Sequence, residues 1–233
     1  LRKHGEDRAG ARRAATADNR GIIPVRPKAV KPPCSGNPPV MPANPFRQAQ
    51  FLTSANRIDQ LPADDGAEVA FAGRSNAGKS SALNAICDQH GLARTSRTPG
   101  RTQLLNVFRV DDARRLVDLP GYGYAKVPEA MRAHWRGVLD AYLRTRASLQ
   151  GLVLVMDARH PLREFDRDML AFGAASGRPC LCLLTKADKL SRSEAARTLA
   201  AVRRELAANF PSGDAQLFSA TAKTGLDEAR TLL

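Results

Sequence analysis

Gly73-Arg74-Ser75-Asn76-Ala77-Gly78-Lys79-Ser80 is the stretch that decides the fold of this 233-residue chain. It matches the phosphate-loop pattern G-x-x-x-x-G-K-[ST] at every fixed position. An apolar run, residues 69–72, precedes it, and a run that favours helix, residues 81–86, follows it. Strand, glycine loop and helix form the context in which this pattern binds phosphate. The sequence therefore predicts a phosphate site here rather than an accidental glycine-rich turn.

Each part of this loop has a physical role in holding phosphate. Gly73 and Gly78 allow the backbone to curl so that its N–H groups converge, and the following helix adds its positive end. Lys79 can reach the β- and γ-phosphates of a nucleotide, and the Ser80 hydroxyl can bind Mg²⁺.

A carboxylate ends a second predicted strand. Asp118 follows an apolar pair and precedes Leu119-Pro120-Gly121. Alone it would be interpreted as a strand-ending Asp that starts a turn. Behind a phosphate loop, it is typical of a residue that holds the water shell of Mg²⁺.

Thr185-Lys186-Ala187-Asp188 fits the guanine-reading pattern [NT]-K-x-D. A fixed carboxylate at Asp188 can accept from guanine N1–H and the 2-amino group, whereas adenine would leave it unpaired, which gives discrimination of roughly 10⁴ or more. The Lys186 stem can pack on the base plane. Phe218-Ser219-Ala220 follows one strand–helix unit later, and the Ala220 N–H is suited to guanine O6.

The pattern along residues 41–233 predicts alternating strands and helices. Strands are expected over residues 50–55, 68–72, 104–110, 114–119, 151–157, 179–185 and 215–218. Helices are expected over residues 79–89, 128–146, 163–175 and 193–209, and from about residue 226, with Ser191 or Ser193 as the cap of the fourth.

This alternation predicts a doubly wound α/β fold, with a mostly parallel sheet and one antiparallel hairpin. Ligands of such sheets bind at the carboxyl ends of the strands. Gly73, Asp118, Thr185 and Ser219 all fall at predicted strand ends, so the fold should gather them into one site.

The charge of +13 suggests a polyanionic partner. Residues 94–146 carry eleven Lys or Arg against five Asp or Glu. In the predicted helix over residues 128–146, Arg132, Arg136, Arg144 and Arg146 occupy the polar face. They form either a solvated surface or a binding surface.

Residues 1–40 carry nine Lys or Arg, three Asp or Glu and six prolines, which predicts a disordered basic tail. One hypothesis is that Met41 is the native start and that the tail is translated upstream sequence. Residues 41–233 then form a single domain.

The chain shows no sign of a membrane or secreted protein. Its clearest apolar run, residues 152–156, is far too short to span a membrane, and no signal peptide begins the chain. The four cysteines have no metal-type spacing, and Cys180 and Cys182 are expected to be small core residues of one strand face. These features favour a cytoplasmic protein, with a monomer as the default.

Five motifs together resemble the EngB family (YihA/YsxC-type) of bacterial ribosome-biogenesis GTPases. They are residues 73–80, Thr98-Pro99-Gly100-Arg101-Thr102-Gln103, Asp118-Leu119-Pro120-Gly121-Tyr122-Gly123-Tyr124-Ala125, Asp157-Ala158-Arg159-His160-Pro161 and Thr185-Lys186-Ala187-Asp188. The resemblance covers about residues 41–233. It implies a single GTPase domain that binds GTP or GDP with Mg²⁺ and assists assembly of the large ribosomal subunit through its rRNA or its precursor, with a role in normal cell growth and division. Neither DNA nor a membrane is an expected partner.

The resemblance also assigns individual residues. It places the phosphate cradle on Gly73, Arg74, Ser75, Asn76, Ala77, Gly78, Lys79, Ser80 and Ser81. Gly100, Arg101 and Thr102 match the first switch, where Thr102 would join Ser80 on Mg²⁺ and Thr98 is a weaker candidate. Gly121 would sense the γ-phosphate through its N–H. Asp157, Arg159 and His160 match without a physical role, and His160 is interpreted as a turn residue.

Hydrolysis is expected to be slow. The residue after Gly121 is Tyr122, and a phenol with a pKa of about 10 is a poor group for orienting water. No arginine finger can be assigned, so turnover should be on the order of 10⁻⁴ s⁻¹. The Asn76 side chain can face the bridge between the β- and γ-phosphates and could bind K⁺ there, in the place of a finger. It would then join Lys79, Thr102 and Gly121 in the catalytic set, and the alternative is that Asn76 is only a small polar residue that fits the loop.

Two other functions fit part of the sequence. A GTPase for tRNA modification or metal transport would need extra domains or membrane spans. A guanine-nucleotide-dependent RNA-binding module with negligible turnover would carry the same motifs, and GTP turnover measured with and without large subunits would distinguish it from the slow switch.

Overall fold

The computed structural model describes residues 44–93, 104–121 and 129–233, without the side chains of residues 129–133 and 135. The predicted tail over residues 1–40 lies outside these ranges. Within them, strands and helices alternate as the sequence pattern predicts.

The strands are β1 Gln50–Ala55, β2 Ala67–Gly73, β3 Leu105–Arg109, β4 Arg114–Asp118, β5 Leu149–Asp157, β6 Cys180–Thr185 and β7 Gly213–Leu217. The helices are α1 Lys79–Ile86, α2 Glu129–Thr145, α3 Glu164–Ala175, α4 Arg192–Asn209 and α5 Leu226–Leu232. None of these helices is long and apolar enough to cross a membrane.

The strands form one sheet in the order β1-β3-β4-β2-β5-β6-β7. The pairs β2/β4, β2/β5, β5/β6 and β6/β7 are parallel, while β3 is antiparallel to both β1 and β4. The predicted doubly wound fold with one antiparallel hairpin is therefore confirmed. Asp111 stabilises the hairpin turn, because its carboxylate accepts from the Ala113 and Arg114 N–H groups at 3.0 and 2.8 Å.

Both faces of the sheet are covered, which explains why β5 is a nearly continuous apolar run. Leu152, Leu154 and Met156 pack in the cluster under α2, α3 and α4. Val153 and Val155 pack in the opposite cluster with α1 and α5. Strand β5 begins at Leu149 rather than at the predicted residue 151, because Leu149 is already buried in the first cluster.

Cys180 and Cys182 point to one face of β6, as predicted, and both are buried. Burial raises the pKa of the Cys180 thiol to about 11. They are core residues.

Helix α1 ends at Ile86, three residues before the predicted end at residue 89. The chain turns at Asp88, whose φ is +50°. The Asp88 and Gln89 N–H groups donate to the carbonyls of Ala85 and Asn84, at 3.1 and 3.0 Å. This is a Schellman C-terminal motif with Asp in place of the usual Gly, so the stop at Gly91 was predicted too late.

Of the two candidate caps of α4, Ser191 is the one used. The Ser191 hydroxyl accepts from the Glu194 N–H at 3.3 Å, and the Glu194 carboxylate accepts from the Ser191 N–H at 2.9 Å. This reciprocal capping box begins the helix at Arg192.

Arg146 does not lie on an exposed helix face, contrary to the sequence interpretation. It follows the end of α2 and its side chain is only 5% exposed. Arg146 Nη2 and Nε donate to the two carboxylate oxygens of Glu68 at 2.6 and 3.0 Å, and the Tyr142 hydroxyl donates to the same carboxylate at 3.0 Å. The interaction fastens the end of α2 to the amino end of β2, away from the strand ends that carry the predicted site. Arg136 and Arg144 are exposed, and the Arg132 side chain lies outside the described residues.

Candidate functional site

The carboxyl ends of five neighbouring strands meet at one edge of the sheet. Strands β4, β2, β5 and β6 end at Asp118, Gly73, Asp157 and Thr185, and Ser219 follows β7. The prediction that the fold gathers Gly73, Asp118, Thr185 and Ser219 at one edge is confirmed.

The loop between β2 and α1 has the geometry that its glycines predict. A Cβ on Gly73 would lie 2.6 Å from the Val155 carbonyl oxygen, so β2 and β5 approach too closely for any side chain there. Gly78 caps α1 with a φ of +97°. Asn76 also adopts a left-handed conformation, with a φ of +60°, which Asn tolerates better than most residues.

A buried ion pair lies beneath this loop. Lys79 Nζ donates to Asp118 Oδ1, and both side chains are buried. Gly121 lies against the start of the loop, since a Cβ built on it would come within 3.5 Å of the Ser75 nitrogen. The structure therefore brings the predicted phosphate-binding lysine and the predicted magnesium-associated carboxylate into direct contact, with the predicted γ-phosphate sensor beside them.

The remaining loop residues differ in exposure. Ser80 is half-buried in the first turn of α1, while Arg74, Asn76 and Ser81 are exposed. Gly100, Arg101, Thr102, Thr98 and Tyr122 lie outside the described residues.

Thr185 connects the phosphate loop to the sheet. Its hydroxyl lies within hydrogen-bonding distance of two backbone carbonyls, that of Ala77 at 2.5 Å and that of Met156 at 2.9 Å. Two residues after Thr185, the Ala187 N–H donates to the Phe218 carbonyl at 3.2 Å. The Thr-Lys-Ala-Asp segment is thereby joined to the loop on one side and to the end of β7 on the other.

Asp188 is held by a buried hydroxyl. Ser219 Oγ donates to Asp188 Oδ1 at 2.7 Å and itself accepts from the Ala222 N–H at 3.0 Å. The hydrogen bond from Ser219 lowers the pKa of Asp188, with a smaller contribution from Lys189. Asp188 is therefore an oriented, ionised carboxylate at neutral pH.

Sequence reasoning gave Asp157 no role, but the structure places it at the centre of a polar cluster. Its carboxylate accepts from Arg159 Nε and Nη2 at 2.9 and 2.6 Å and from Lys186 Nζ at 3.0 Å. Hydrogen bonds from Arg159 lower the pKa of Asp157 well below its usual range, and Lys186 adds to the effect. The available signal was a strand-ending Asp followed two residues later by Arg.

His160 lies in the turn after β5, as expected. Its N–H donates to the Asp157 carbonyl at 2.9 Å, and its side chain is exposed.

Comparisons with known proteins agree with this geometry. A family model described as a 50S ribosome-binding GTPase matches residues 68–186. A probable GTP-binding protein EngB of Stenotrophomonas maltophilia (strain K279a) is 56% identical over 189 residues, which cover 81% of this chain and 94% of that protein. A second protein of that description, from Aromatoleum aromaticum, is 58% identical over 183 residues, which cover 78% of this chain and 85% of that one.

The fold comparison is consistent with the sequence comparison. A crystal structure of a probable GTP-binding protein engB superposes with a TM-score of 0.57 at 17% identity, covering 71% of this chain and 97% of that one. At this identity the superposition supports the fold alone. Identity above one half over about four fifths of the chain goes further, and it shows that this chain is a GTPase that belongs to the EngB family of GTP-binding proteins.

Proposed function

We propose that this GTPase is a slow switch in assembly of the large ribosomal subunit, acting as a cytoplasmic monomer that supports normal cell growth and division. The proposal of a nucleotide site rests on one observation, that two carboxylates lie at the same edge of the sheet and that each is held in place. Asp118 lies under the phosphate loop and Asp188 lies beyond β6, each held by a buried partner.

The loop between β2 and α1 would bind the phosphates. Gly78 directs the backbone into α1, whose first turn provides N–H donors, and Lys79 provides the charge. The proposed phosphate contacts are Gly73, Arg74, Ser75, Asn76, Ala77, Gly78, Lys79, Ser80 and Ser81, with Gly121 on the γ-phosphate side.

Among the described residues, the half-buried Ser80 hydroxyl and the buried Asp118 carboxylate offer oxygen atoms of the kind that Mg²⁺ prefers. Ser80 and Thr102 are the proposed ligands, and Asp118, with Leu119 and Pro120 fixing the chain beyond it, would orient the water shell. Mg²⁺ bound there supplies positive charge to the β- and γ-phosphates. Lys79 is paired with Asp118 in this structure, and on this proposal its ammonium would contact a phosphate oxygen once the nucleotide is bound.

Asp188 would select guanine. The Ser219 hydroxyl occupies one carboxylate oxygen and keeps the group ionised, which suits a carboxylate that accepts from N1–H and the 2-amino group. The Ala220 N–H is the proposed donor to O6, and Lys186 and Ala187 would border the base.

The chemical step would depend on the phosphate loop more than on a base. Tyr122 replaces the water-orienting Gln, and we assign no arginine finger. We propose that Asn76, which is exposed in a left-handed conformation within the loop, binds K⁺ where a finger would otherwise act. Thr102 and Gly121 complete the proposed catalytic set.

The proposed partner is the rRNA of the large subunit or its precursor. Support comes from the family description and from the basic window over residues 94–146, in which Arg136 and Arg144 are exposed. Contacts of Lys and Arg with phosphates release counterions, so binding should fall steeply with salt.

Cosedimentation with large ribosomal subunits, in GDP and in a non-hydrolysable GTP analogue, tests this proposal. We expect more binding with the analogue, and loss of at least tenfold in affinity between about 50 and 200 mM salt. Arg136→Glu should weaken binding, while Arg197→Glu, which reverses an exposed charge on α4 outside the basic window, should not. Binding that is independent of nucleotide and salt would contradict the proposal.

A further inference from the structure

We propose that Asp157 is the positioning residue of the guanine site, which holds the Lys186 side chain against the phosphate loop. The inference rests on the nucleotide site proposed above. Nothing in the family motifs explains why a carboxylate should stand at the end of β5, whereas its contacts in the structure do.

Lys186 bridges two parts of the site. Its Nζ donates to the Asn76 carbonyl in the phosphate loop at 2.7 Å and to Asp157 Oδ2 at 3.0 Å. An ammonium has three donors, so two of them are assigned to these acceptors. The backbone of Lys186 is left-handed, with a φ of +58°, which directs the side chain back across the end of β5. The aliphatic stem therefore reaches from the Thr-Lys-Ala-Asp segment to the phosphate loop, and the base plane is proposed to pack on it.

The Asp157 carboxylate is itself held in place by hydrogen bonds from Arg159. Arg159 grips the carboxylate with two side-chain donors and with its own N–H, which donates to Oδ1 at 3.1 Å. The next residue, Ala158, donates its N–H to the Thr185 carbonyl at 2.9 Å. The carboxylate is only 17% exposed. The turn after β5 is thus bonded directly to the strand end that delivers Lys186.

The charges explain why the carboxylate matters. Lys186 is half-buried, and its charge is balanced by Asp157, while Arg159 keeps Asp157 ionised and in place. The Asn76 carbonyl offers the flexible Lys186 side chain only a dipole, whereas the Asp157 carboxylate adds the attraction of an opposite charge in a partly buried place. Without Asp157, Lys186 would sample other rotamers, and the wall of the base site would lose its fixed position.

The chain contains a matched arrangement that lacks a lysine. Arg57 grips Asp59 through Nε and Nη2 at 3.0 and 2.8 Å, again with two residues of separation. Both side chains of this second pair are largely exposed. Asp59→Ala removes the same kind of Asp–Arg chelate and is therefore the control for a general effect on stability or charge.

The test is a double-mutant cycle on the full chain, read out by the dissociation rate of a fluorescent GDP. Asp157→Ala and Lys186→Met should each accelerate dissociation about tenfold, within the range of coupling between contacting residues. In the Lys186→Met background, Asp157→Ala should change the rate less than twofold, because the side chain that it positions is already absent. Asp59→Ala should leave the rate unchanged.

Other outcomes overturn the inference in distinguishable ways. If Asp157→Ala accelerates dissociation equally in both backgrounds, Asp157 supports the fold and not Lys186. If Lys186→Met acts alone and Asp157→Ala does not, the guanine site stands and the positioning role falls. If Lys186→Met has no effect, the held ammonium does not matter to the bound nucleotide and the inference falls. If the unmodified chain does not bind the fluorescent GDP, the proposed nucleotide site itself is wrong. Asp157→Asn keeps one oxygen acceptor, loses the charge and should give an intermediate acceleration, which keeps the test valid should the Ala variant fold poorly.

Discussion

Replacing Arg146 by Met should lower the free energy of unfolding by about 3 kcal/mol. Glu68 is fully buried, and Arg146 provides two of the hydrogen bonds to its carboxylate. Removal of one member of a buried ion pair costs about 3–5 kcal/mol, because the remaining charge is left without compensation. Arg115 Nη1 also faces Glu68, at 3.4 Å, and the Tyr142 hydroxyl remains, which places the expectation at the lower end of that range.

The neighbouring Arg144 is the control. It pairs with Asp140 at 2.6 Å, but the two side chains are 68% and 58% exposed. Exposed pairs of this kind contribute less than about 1 kcal/mol, so Arg144→Met should have little effect. Urea unfolding followed by circular dichroism measures both variants under the same conditions.

The reasoning also predicts a partial rescue. Glu68→Gln removes the buried charge and keeps an acceptor for Tyr142, so in the Arg146→Met background it should recover part of the lost stability. If Arg146→Met lies within 1 kcal/mol of the unmodified chain, or if Glu68→Gln worsens it, the buried charge is not the dominant cost.

Three further outcomes are expected. Asp188→Asn should reduce the preference for GTP over XTP and ATP in a nucleotide competition assay, because an amide presents a donor as well as an acceptor; an unaltered preference would place the base elsewhere. GTP turnover should be faster in KCl than in NaCl at equal ionic strength, and Asn76→Ala should abolish the difference; equal rates for the unmodified chain would remove K⁺ from the mechanism. Burial of the Asp64 carboxyl raises its pKa, but hydrogen bonds from the Ala147 and Ser148 N–H groups outweigh this and hold it at about 2. A depressed pKa in the folded state stabilises the fold above the unfolded pKa of about 4, so the free energy of unfolding should fall as the pH drops from 4 to 2. The loss should be about 1 kcal/mol larger than in Asp64→Asn, a value that includes solvent screening of this partly exposed carboxyl.

The fold was predictable because its signals are local. The strand before Gly73, the glycine loop and the helix after it occupy consecutive residues, and the apolar run of β5 announces a strand covered on both faces. The placement of Asp118 at the same edge as Gly73 also followed, since parallel strands end at the same edge.

Arg146 shows what a local sequence pattern cannot predict. It stands at helical spacing from Arg132 and Arg136, so periodicity placed it on their face. Its carboxylate partner, Glu68, lies 78 residues earlier in the chain. A pattern read within one helix contains no information about a buried group on a distant strand, and burial decides whether an arginine is solvated or structural.

Asp157 illustrates the same limit within the site. Its contact with Arg159 is local and could be inferred from a two-residue spacing. Its contact with Lys186 spans 29 residues and depends on β5 and β6 being neighbours in register, with Asp157 opposite Thr185. Only the assembled sheet shows that the lysine of the guanine motif donates a hydrogen bond to the strand-ending carboxylate.

The spacing of the strands sets the distance between the two ends of the proposed site. Asp118 ends β4 and Ser219 follows β7, and these two strands are separated by three others, β2, β5 and β6. Adjacent strands lie about 4.8 Å apart, so the outer two stand roughly 19 Å apart. On the proposed assignment, a ligand that touches both ends has to reach about that far. Pyrophosphate or a free base would engage one end alone and forgo the gain of about 10²–10⁴ that comes from joining two weak binding groups in one molecule. The width of the sheet would thereby select ligands by length. GDP still carries both a phosphate group and the base, so it would dissociate slowly even after the γ-phosphate has gone.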